Sequence, residues 1–426
     1  MFRKFSRIIP YLLTGLMFIG HSVLYAQQQM RYPRPEFETD YTYPEYQYIY
    51  QRSPVWEYID VAVLIAALTL TSWLVLKKRW RQGIVWVSLF SLAYFGFYRQ
   101  GCICAVGSVQ NVSLALFNSD YSMPLVALLF FLLPLGFALF SGRVFCAGVC
   151  PLGAIQELTA FRQVKVNPKV EAVLGSIPFV YLGLAVLFSA TGSQFIICRY
   201  DPFVGIFRLG APYTMVIFGS LLLITGIFVN RPYCRYLCPY GVLLNIFSRF
   251  SYRHLSITPA ECINCRRCEP SCPYGAINVS DKAGENELTV KPSTVRLLYP
   301  FLIIFIALSL GLIAYNTAPL LAGVNKNVML AREIRLEKET GIKAESEAAL
   351  AFRESATPEE ELFAEELIVI KRFRAGAPLV GIFLGLSLGI GFYRRMTRLP
   401  RTEYEPDRGR CISCGKCFRY CPVKPN

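Results

Sequence analysis

Eight of the fifteen cysteines fall in two runs whose spacing suits iron–sulfur chemistry. The first run is Cys262-x-x-Cys265-x-x-Cys268-x-x-x-Cys272-Pro273, and the second is Cys411-x-x-Cys414-x-x-Cys417-x-x-x-Cys421-Pro422. Thiolates are the ligands of iron–sulfur clusters, and in this spacing the fourth cysteine of each run ligates the other cluster of a two-cluster unit. The spacing therefore predicts two [4Fe-4S] clusters, one held by Cys262, Cys265, Cys268 and Cys421, the other by Cys411, Cys414, Cys417 and Cys272. Zinc knuckles are the structural alternative, but they pair Cys-x-x-Cys units across a longer gap.

An internal repeat carries the next four cysteines. The stretch from Arg143 to Gly153 matches the stretch from Arg231 to Gly241, and each copy contains Cys-x-x-x-Cys-Pro. Proline suits the first turn of a helix, so the second cysteine of each copy is predicted at a helix amino terminus, where the helix dipole favours a thiolate. The four cysteines are candidates for a further cluster or another metal, and redox-active thiols or simple packing are the alternatives. They are Cys146, Cys150, Cys234 and Cys238.

A third group consists of Cys102, Cys104 and Cys198, which are predicted near the outer ends of hydrophobic spans. Clusters on one side of a membrane cannot by themselves move electrons across a hydrocarbon core of about 30 Å. These three cysteines are therefore a candidate membrane or periplasmic-side site, with the missing ligand supplied by a partner or by a residue other than cysteine. A disulfide is the competing interpretation.

The composition indicates a membrane protein. Hydrophobic residues make up 54% of the 426 positions, and the formal net charge is +15. Because the cations flank hydrophobic spans, they are better explained by membrane orientation and anionic lipid than by nucleic acid, which is excluded as a partner. Only His21 and His254 are histidines, so a bis-histidine haem is excluded from a mature chain that has lost its leader.

The elements that position these cysteines are predicted to be mainly α, in a polytopic membrane protein with about seven spans after a signal peptide. Residues 1–26 have a basic start and an apolar stretch typical of a secretory signal, and a periplasmic Tyr/Pro-rich segment, 27–56, follows it. The predicted spans are 57–76, 83–100, 121–141, 171–190, 212–230, 295–315 and 376–393.

Alternation from an external residue 27 puts both cysteine runs in the cytoplasm. Most Lys and Arg then lie inside as well, as the positive-inside tendency requires. The predicted division has a membrane domain with the two repeats, two ferredoxin halves that form one cytoplasmic two-cluster module, and a periplasmic helical loop between the last two spans. The boundaries are 57–250 for the membrane domain, 251–294 and 394–426 for the ferredoxin halves, and 316–375 for the loop, with spans at 295–315 and 376–393.

This order of motifs resembles the NosR/NapH type of membrane polyferredoxin over about residues 57–426. The resemblance rests on the four repeat cysteines and the eight cysteines of the two runs, and the second run makes it closer to the membrane half of NosR than to NapH. RdhC-like proteins share the plan. NosR-like chains carry a periplasmic FMN domain ahead of the spans, for which residues 27–56 are too short, so FMN is expected only through a partner subunit.

The resemblance implies a multi-pass subunit of the bacterial cytoplasmic membrane, with its clusters on the cytoplasmic side. It would relay electrons between a cytoplasmic or quinol donor and a periplasmic flavoprotein or reductase. The expected partners are membrane lipid, a periplasmic FMN-binding or haem subunit, and a quinone or a cytoplasmic ferredoxin. Such a chain is a component of an oxidoreductase complex rather than a stand-alone catalyst. The alternative is a maturation factor that supplies reducing equivalents or metal to a periplasmic metalloenzyme.

Overall fold

A computed structural model of the protein describes most of the chain after the first fifty residues. The described residues are 53–101, 104–119, 121–161, 163, 164, 166–208, 210, 212–257, 263, 265, 267–277, 292–341, 346–355, 358–396 and 406–422. All of them belong to one compact unit. The predicted signal peptide, nearly all of the Tyr/Pro-rich segment, Cys102 and Cys262 lie outside the described residues.

The described part of the chain is mainly helical, as the sequence predicts. In the region that carries the repeats, the described residues form twelve helices. They are α1 Pro54–Trp73, α2 Arg81–Ser91, α3 Ala105–Phe117, α4 Leu125–Ser141, α5 Pro151–Leu158, α6 Pro168–Leu174, α7 Ile177–Ala190, α8 Ile196–Tyr200, α9 Pro202–Arg208, α10 Tyr213–Phe228, α11 Pro232–Tyr236 and α12 Pro239–Arg249. Short π-helical stretches, Leu74–Lys78, Leu92–Tyr98 and Phe145–Val149, extend α1 and α2 and precede α5.

The remaining helices belong to the ferredoxin halves and the hairpin between them. They are α13 Cys268–Ser271, α14 Pro292–Ala322, α15 Lys326–Thr340, α16 Glu347–Glu354, α17 Glu359–Met396 and α18 Lys416–Tyr420. Two of these helices run past the predicted spans 295–315 and 376–393, because Glu, Leu and Ala continue a helix beyond the apolar stretch. Much of the predicted loop 316–375 is therefore helix.

Within the described residues, four helical segments are long and apolar enough to cross a membrane, and the count is five if one bent pair forms a single span. The four are Pro54–Lys78, Val170–Ala190, Tyr299–Ala322 and Glu359–Gly391, and the bent pair is Pro202–Arg208 with Tyr213–Phe228. The predicted spans 83–100 and 121–141 fall on α2 with its π-helical extension and on α4, which is 17 residues long. The total of seven spans therefore stays a prediction.

Helices α14 and α17 pack closely as a hairpin because small residues line their contact. A Cβ atom on Gly389 would lie 2.8 Å from Cγ1 of Ile303, and one on Gly381 or Gly385 would meet the backbone of α14 directly. Glycine spaced every four residues lets two apolar helices approach closely. The hairpin is the covalent link between the two ferredoxin halves, so its packing brings together segments that are far apart in sequence.

Candidate metal centres

The second ferredoxin set is assembled from both ends of the hairpin. Cys272 lines the same cavity as Cys411, Cys414 and Cys417, which are the three cysteines that the swapped arrangement assigns to it. We call the cavity lined by these four cysteines the ferredoxin cavity. The backbones of the two halves also join, because Asp407 donates its N–H to the carbonyl of Ala276 at 2.6 Å.

Helix α13 and helix α18 give the two halves matching local structure. Cys272 directly follows α13, which begins at Cys268, and Cys421 directly follows α18. The two short helices pack against each other. Helix packing thus brings the elements that carry Cys268 and Cys421 together, whereas Cys265 is exposed and Cys262 lies outside the described residues.

The environment of the ferredoxin cavity fits a group that binds thiolates. Backbone N–H groups of Ala276 and Ser413 donate to the sulfurs of Cys272 and Cys411 at 3.4 Å each. Burial raises the pKa of Cys411 to about 12 and that of Cys417 well above its usual value. Such thiols stay protonated until a metal displaces the proton, while the N–H donors are ready for the thiolate form.

The four repeat cysteines form a second group, which we call the repeat quartet: Cys146, Cys150, Cys234 and Cys238. The second cysteine of each copy directly precedes a helix that starts with proline, as predicted, since Cys150 precedes α5 and Cys238 precedes α12. Electrostatic interactions connect each of the four thiols with the other three, so the fold brings the two copies together. Burial, together with the neighbouring thiols, raises the pKa of Cys150 and Cys238 well above the usual value.

Two polar side chains, one in the first copy and one just after it, approach cysteines of the repeat quartet. Gln156 donates an amide N–H to the sulfur of Cys234 at 3.4 Å and accepts the backbone N–H of Tyr233 at 3.0 Å. Arg143 points Nη2 toward the sulfur of Cys146 at 3.9 Å. The quartet is therefore a polar, donor-lined group within a helical core, which suits thiolate ligation.

Cys104 and Cys198 of the third group lie close to one another. A Cβ atom on Gly107, three residues after Cys104, would lie 3.1 Å from the sulfur of Cys198. Gln110 holds this region by accepting the backbone N–H of Cys198 at 3.3 Å. Cys104 also lines an apolar cavity together with Cys150, so one cavity touches both the third group and the repeat quartet.

None of the described cysteines is in a disulfide. Among the described residues, no three Cys, His, Asp or Glu side chains are arranged to hold a single metal ion.

The sequence interpretation missed an ion network between the repeats and the second ferredoxin half. Glu157 lies 3.0 Å from Nε of Arg231, 2.9 Å from Nζ of Lys416 and 2.7 Å from Nη2 of Arg81. Burial opposes ionisation of Glu157, but the cations of Arg231, Lys416 and Arg81 together lower its pKa to about 2. In the sequence, this network could have been suspected only from Arg143 and Arg231, which occupy the same position in the two copies of the repeat. No sequence pattern marks Glu157.

Comparisons with known proteins place 4Fe-4S binding domains over two of these cysteine groups. A family described as a 4Fe-4S binding domain matches residues 123–169 and 211–258, which contain the repeat quartet. A second 4Fe-4S binding domain family matches residues 255–278, which contain the first cysteine run. No solved structure matches the chain.

Three curated relatives can be aligned with about half of this chain. Protein NirI of Paracoccus denitrificans is 29% identical over 50% of this chain and 33% of its own length, and Regulatory protein NosR of Stutzerimonas stutzeri is 29% identical over 49% and 31%. Uncharacterized protein MJ0750 of Methanocaldococcus jannaschii is 29% identical over 46% of this chain and 82% of its own length. The chain thus covers about a third of NirI and of NosR.

The apolar helices and the matched domains define an iron–sulfur protein of the membrane type. The relatives and the two 4Fe-4S domain matches support its membership of the NosR/NapH-type membrane ferredoxin family.

Proposed function

We propose that this chain is a membrane-bound iron–sulfur subunit that relays electrons between a cytoplasmic or quinol donor and a periplasmic flavoprotein or reductase. The observation that carries the proposal is the ferredoxin cavity, in which Cys272 from one half shares a wall with Cys411, Cys414 and Cys417 from the other. A two-cluster ferredoxin needs this exchange of the fourth cysteine.

Three groups of residues would hold the cofactors. The two swapped sets of cysteines would each bind one [4Fe-4S] cluster. The repeat quartet would bind a further cluster or metal, which the 4Fe-4S domain match to both copies favours. Cys102, Cys104 and Cys198 would form the membrane or periplasmic-side site. Clusters of this kind supply one-electron transfer. The chain itself supplies thiolates, N–H donors to sulfur and buried cations that balance negative charge.

The proposed setting is the bacterial cytoplasmic membrane, with the clusters on the cytoplasmic side. The cation-rich ends of the apolar helices favour this orientation. A periplasmic FMN-binding or haem subunit would complete the path, and a quinone or a cytoplasmic ferredoxin would be the donor.

The experiment that tests the proposal is anaerobic purification followed by metal analysis and EPR. We expect cubane signals in the dithionite-reduced protein and about eight iron atoms per chain from the two swapped sets alone. Zinc in place of iron, with no signal on reduction, would contradict the electron-transfer function.

A maturation factor for a periplasmic metalloenzyme is the second candidate, favoured by a repeat quartet distinct from the ferredoxin cavity. Replacing Cys146 and Cys234 with serine separates the two functions. If electron transfer through the membrane continues while the partner enzyme lacks its metal, the maturation function is the correct one. If electron transfer stops, the relay function is supported.

A further inference from the structure

Two buried arginines occupy the same position in the two repeats. Arg143 and Arg231 each precede the first cysteine of their copy by three residues. They are only 8% and 1% exposed. Burying a guanidinium is costly unless nearby acceptors and negative charge compensate for the lost water. The surroundings of these two side chains therefore indicate where negative charge is expected.

Each arginine crosses to the other copy. A Cβ atom on Gly153 of the first copy would lie 3.0 Å from Nη1 of Arg231, and one on Gly241 of the second copy would lie 3.4 Å from Nη2 of Arg143. Arg231 also donates to the backbone carbonyl of Cys146, in the first copy. Any side chain at either glycine would meet a guanidinium, so the glycines make room for this exchange. The arginines thus lie between the two halves of the repeat quartet.

The same arginines are connected to the ferredoxin cavity. Arg143 donates from Nη1 to the carbonyl of Gly409 at 3.1 Å, two residues before Cys411. Arg231 reaches the cavity through Glu157, whose carboxylate also binds Lys416, the neighbour of Cys417. Hydrogen bonds and ion pairs therefore connect this one pair of arginines with both groups of cysteines.

Within the described part of the chain, some buried donor groups of the two arginines have no hydrogen-bond acceptor. Nε of Arg143 and Nη2 of Arg231 are buried and have no acceptor among the described residues, and the hydroxyl of Tyr274 is in the same condition. Arg231 interacts electrostatically with Cys234 of the repeat quartet and with Cys414 of the ferredoxin cavity. Arg143 acts in the same way on Cys234 and Cys411. The donors fit anionic groups on both sides.

We propose that Arg143 and Arg231 are positioning residues shared by two redox centres, one in the repeat quartet and one in the ferredoxin cavity, and that each raises the reduction potential of both. The inference rests on the proposed function, since it requires a centre in each group. Reduction adds one electron and no proton to a centre, so its negative charge grows by one. A buried cation stabilises that added charge far more than an exposed one does, because the interior screens charge poorly.

The test is an EPR-monitored redox titration of Arg231→Gln in the full-length protein, with dithionite as the reductant. We expect both midpoint potentials to become more negative, and Arg231→Lys, which keeps the charge, to recover most of the shift. Arg143→Gln should shift both centres in the same direction. Arg419→Gln is the matched control, because Arg419 is exposed on the same short helix as Lys416 and water screens it. The control should leave the potential of the repeat quartet unchanged.

Two results would overturn the inference while leaving the proposed function intact. One is a shift confined to a single centre in both glutamine variants, and the other is no recovery in Arg231→Lys despite full iron content. If Arg231→Gln fails to fold or to bind iron, then Arg143→Gln, Arg143→Lys and Arg231→Lys decide the question by the same titration. Wild-type protein without cluster signals would instead contradict the proposed function itself.

Discussion

The repeat quartet and the ferredoxin cavity are built in opposite ways from the same residue type. In the quartet, each copy supplies two cysteines within one turn and a proline that starts the next helix, as at Cys150 and Cys238. In the ferredoxin cavity, Cys272 meets residues that follow it by more than a hundred positions. The quartet thus depends on local structure in each copy, and the cavity depends on the hairpin between the halves.

Because of this difference, substitutions in different parts of the molecule should damage the two sites separately. A change in the hairpin should empty the ferredoxin cavity and spare the quartet, because the hairpin is outside both copies of the repeat. A change at the buried ion network should affect both, since Glu157 joins the quartet to the cavity.

The largest effect is expected from Gly385→Leu in α17. A Cβ at this position would meet the backbone of Ala307, so leucine must force the two helices apart. We expect loss of most of the iron that belongs to the two ferredoxin sets, while the quartet keeps its metal, by metal analysis and EPR. Gly391→Leu is the control, because a Cβ there meets nothing within 4 Å. Equal iron loss in both variants would contradict the packing argument.

A single ligand change should remove one centre. Cys272→Ser takes one thiol from the ferredoxin cavity, so we expect the signal of that cluster to fall to near zero while the other signals remain. Cys198→Ser is the comparison variant, because its thiol lies outside the cavity. Retention of the full set of signals in Cys272→Ser would show that the swapped assignment is wrong.

Glu157→Gln should destabilise the protein by about 3 kcal/mol, because it leaves buried cations without their counter-charge. The readout is the thermal unfolding midpoint in detergent at neutral pH. Glu354→Gln, at an exposed glutamate at the end of α16, is the matched control and should change little. A stable Glu157→Gln variant would mean that water reaches the network.

A fall in pH should destabilise the fold through His254. Burial and the charge of Arg408 lower the pKa of His254 to about 4, although Asp407 opposes this shift. Because the unfolded chain binds the proton first, the stability that neutral His254 contributes is fully present above about pH 6.5 and is lost between about pH 6.5 and 4, by roughly 3 kcal/mol. Between pH 6.5 and 5, where the carboxylate of Glu157 stays ionised, His254→Gln should show a flatter profile of unfolding midpoint against pH. An unchanged profile would contradict the assignment.

The smallest effect is expected at Lys338, which pairs with Glu359 on the surface of the α15–α17 region. Both side chains are about half exposed, so Lys338→Ala should cost about 0.5 kcal/mol or less. The same thermal assay checks this value, and a loss comparable with that of Glu157→Gln would show that the region carries a buried charge network.

Much of this organisation follows from local pattern. Cysteine spacing predicts the fourth ligand at Cys272, and proline after Cys150 and Cys238 predicts two helix starts, because both signals act within a few residues. The bounds of α17 were missed, since a hydropathy pattern marks the apolar stretch and not where the helix ends. Glu157 was missed because its importance comes from three cations that reach it from separate segments, and only the folded chain brings them together.

The shared cavity has a consequence for how the protein is made. Its sulfurs come from positions 272, 411, 414 and 417, so the ribosome must pass the whole hairpin before the four can meet. Any cofactor that needs all four sulfurs is therefore inserted only after the second ferredoxin half has been made. A chain that terminates in the hairpin offers a single sulfur, and a loaded cavity therefore shows that synthesis has passed Cys417.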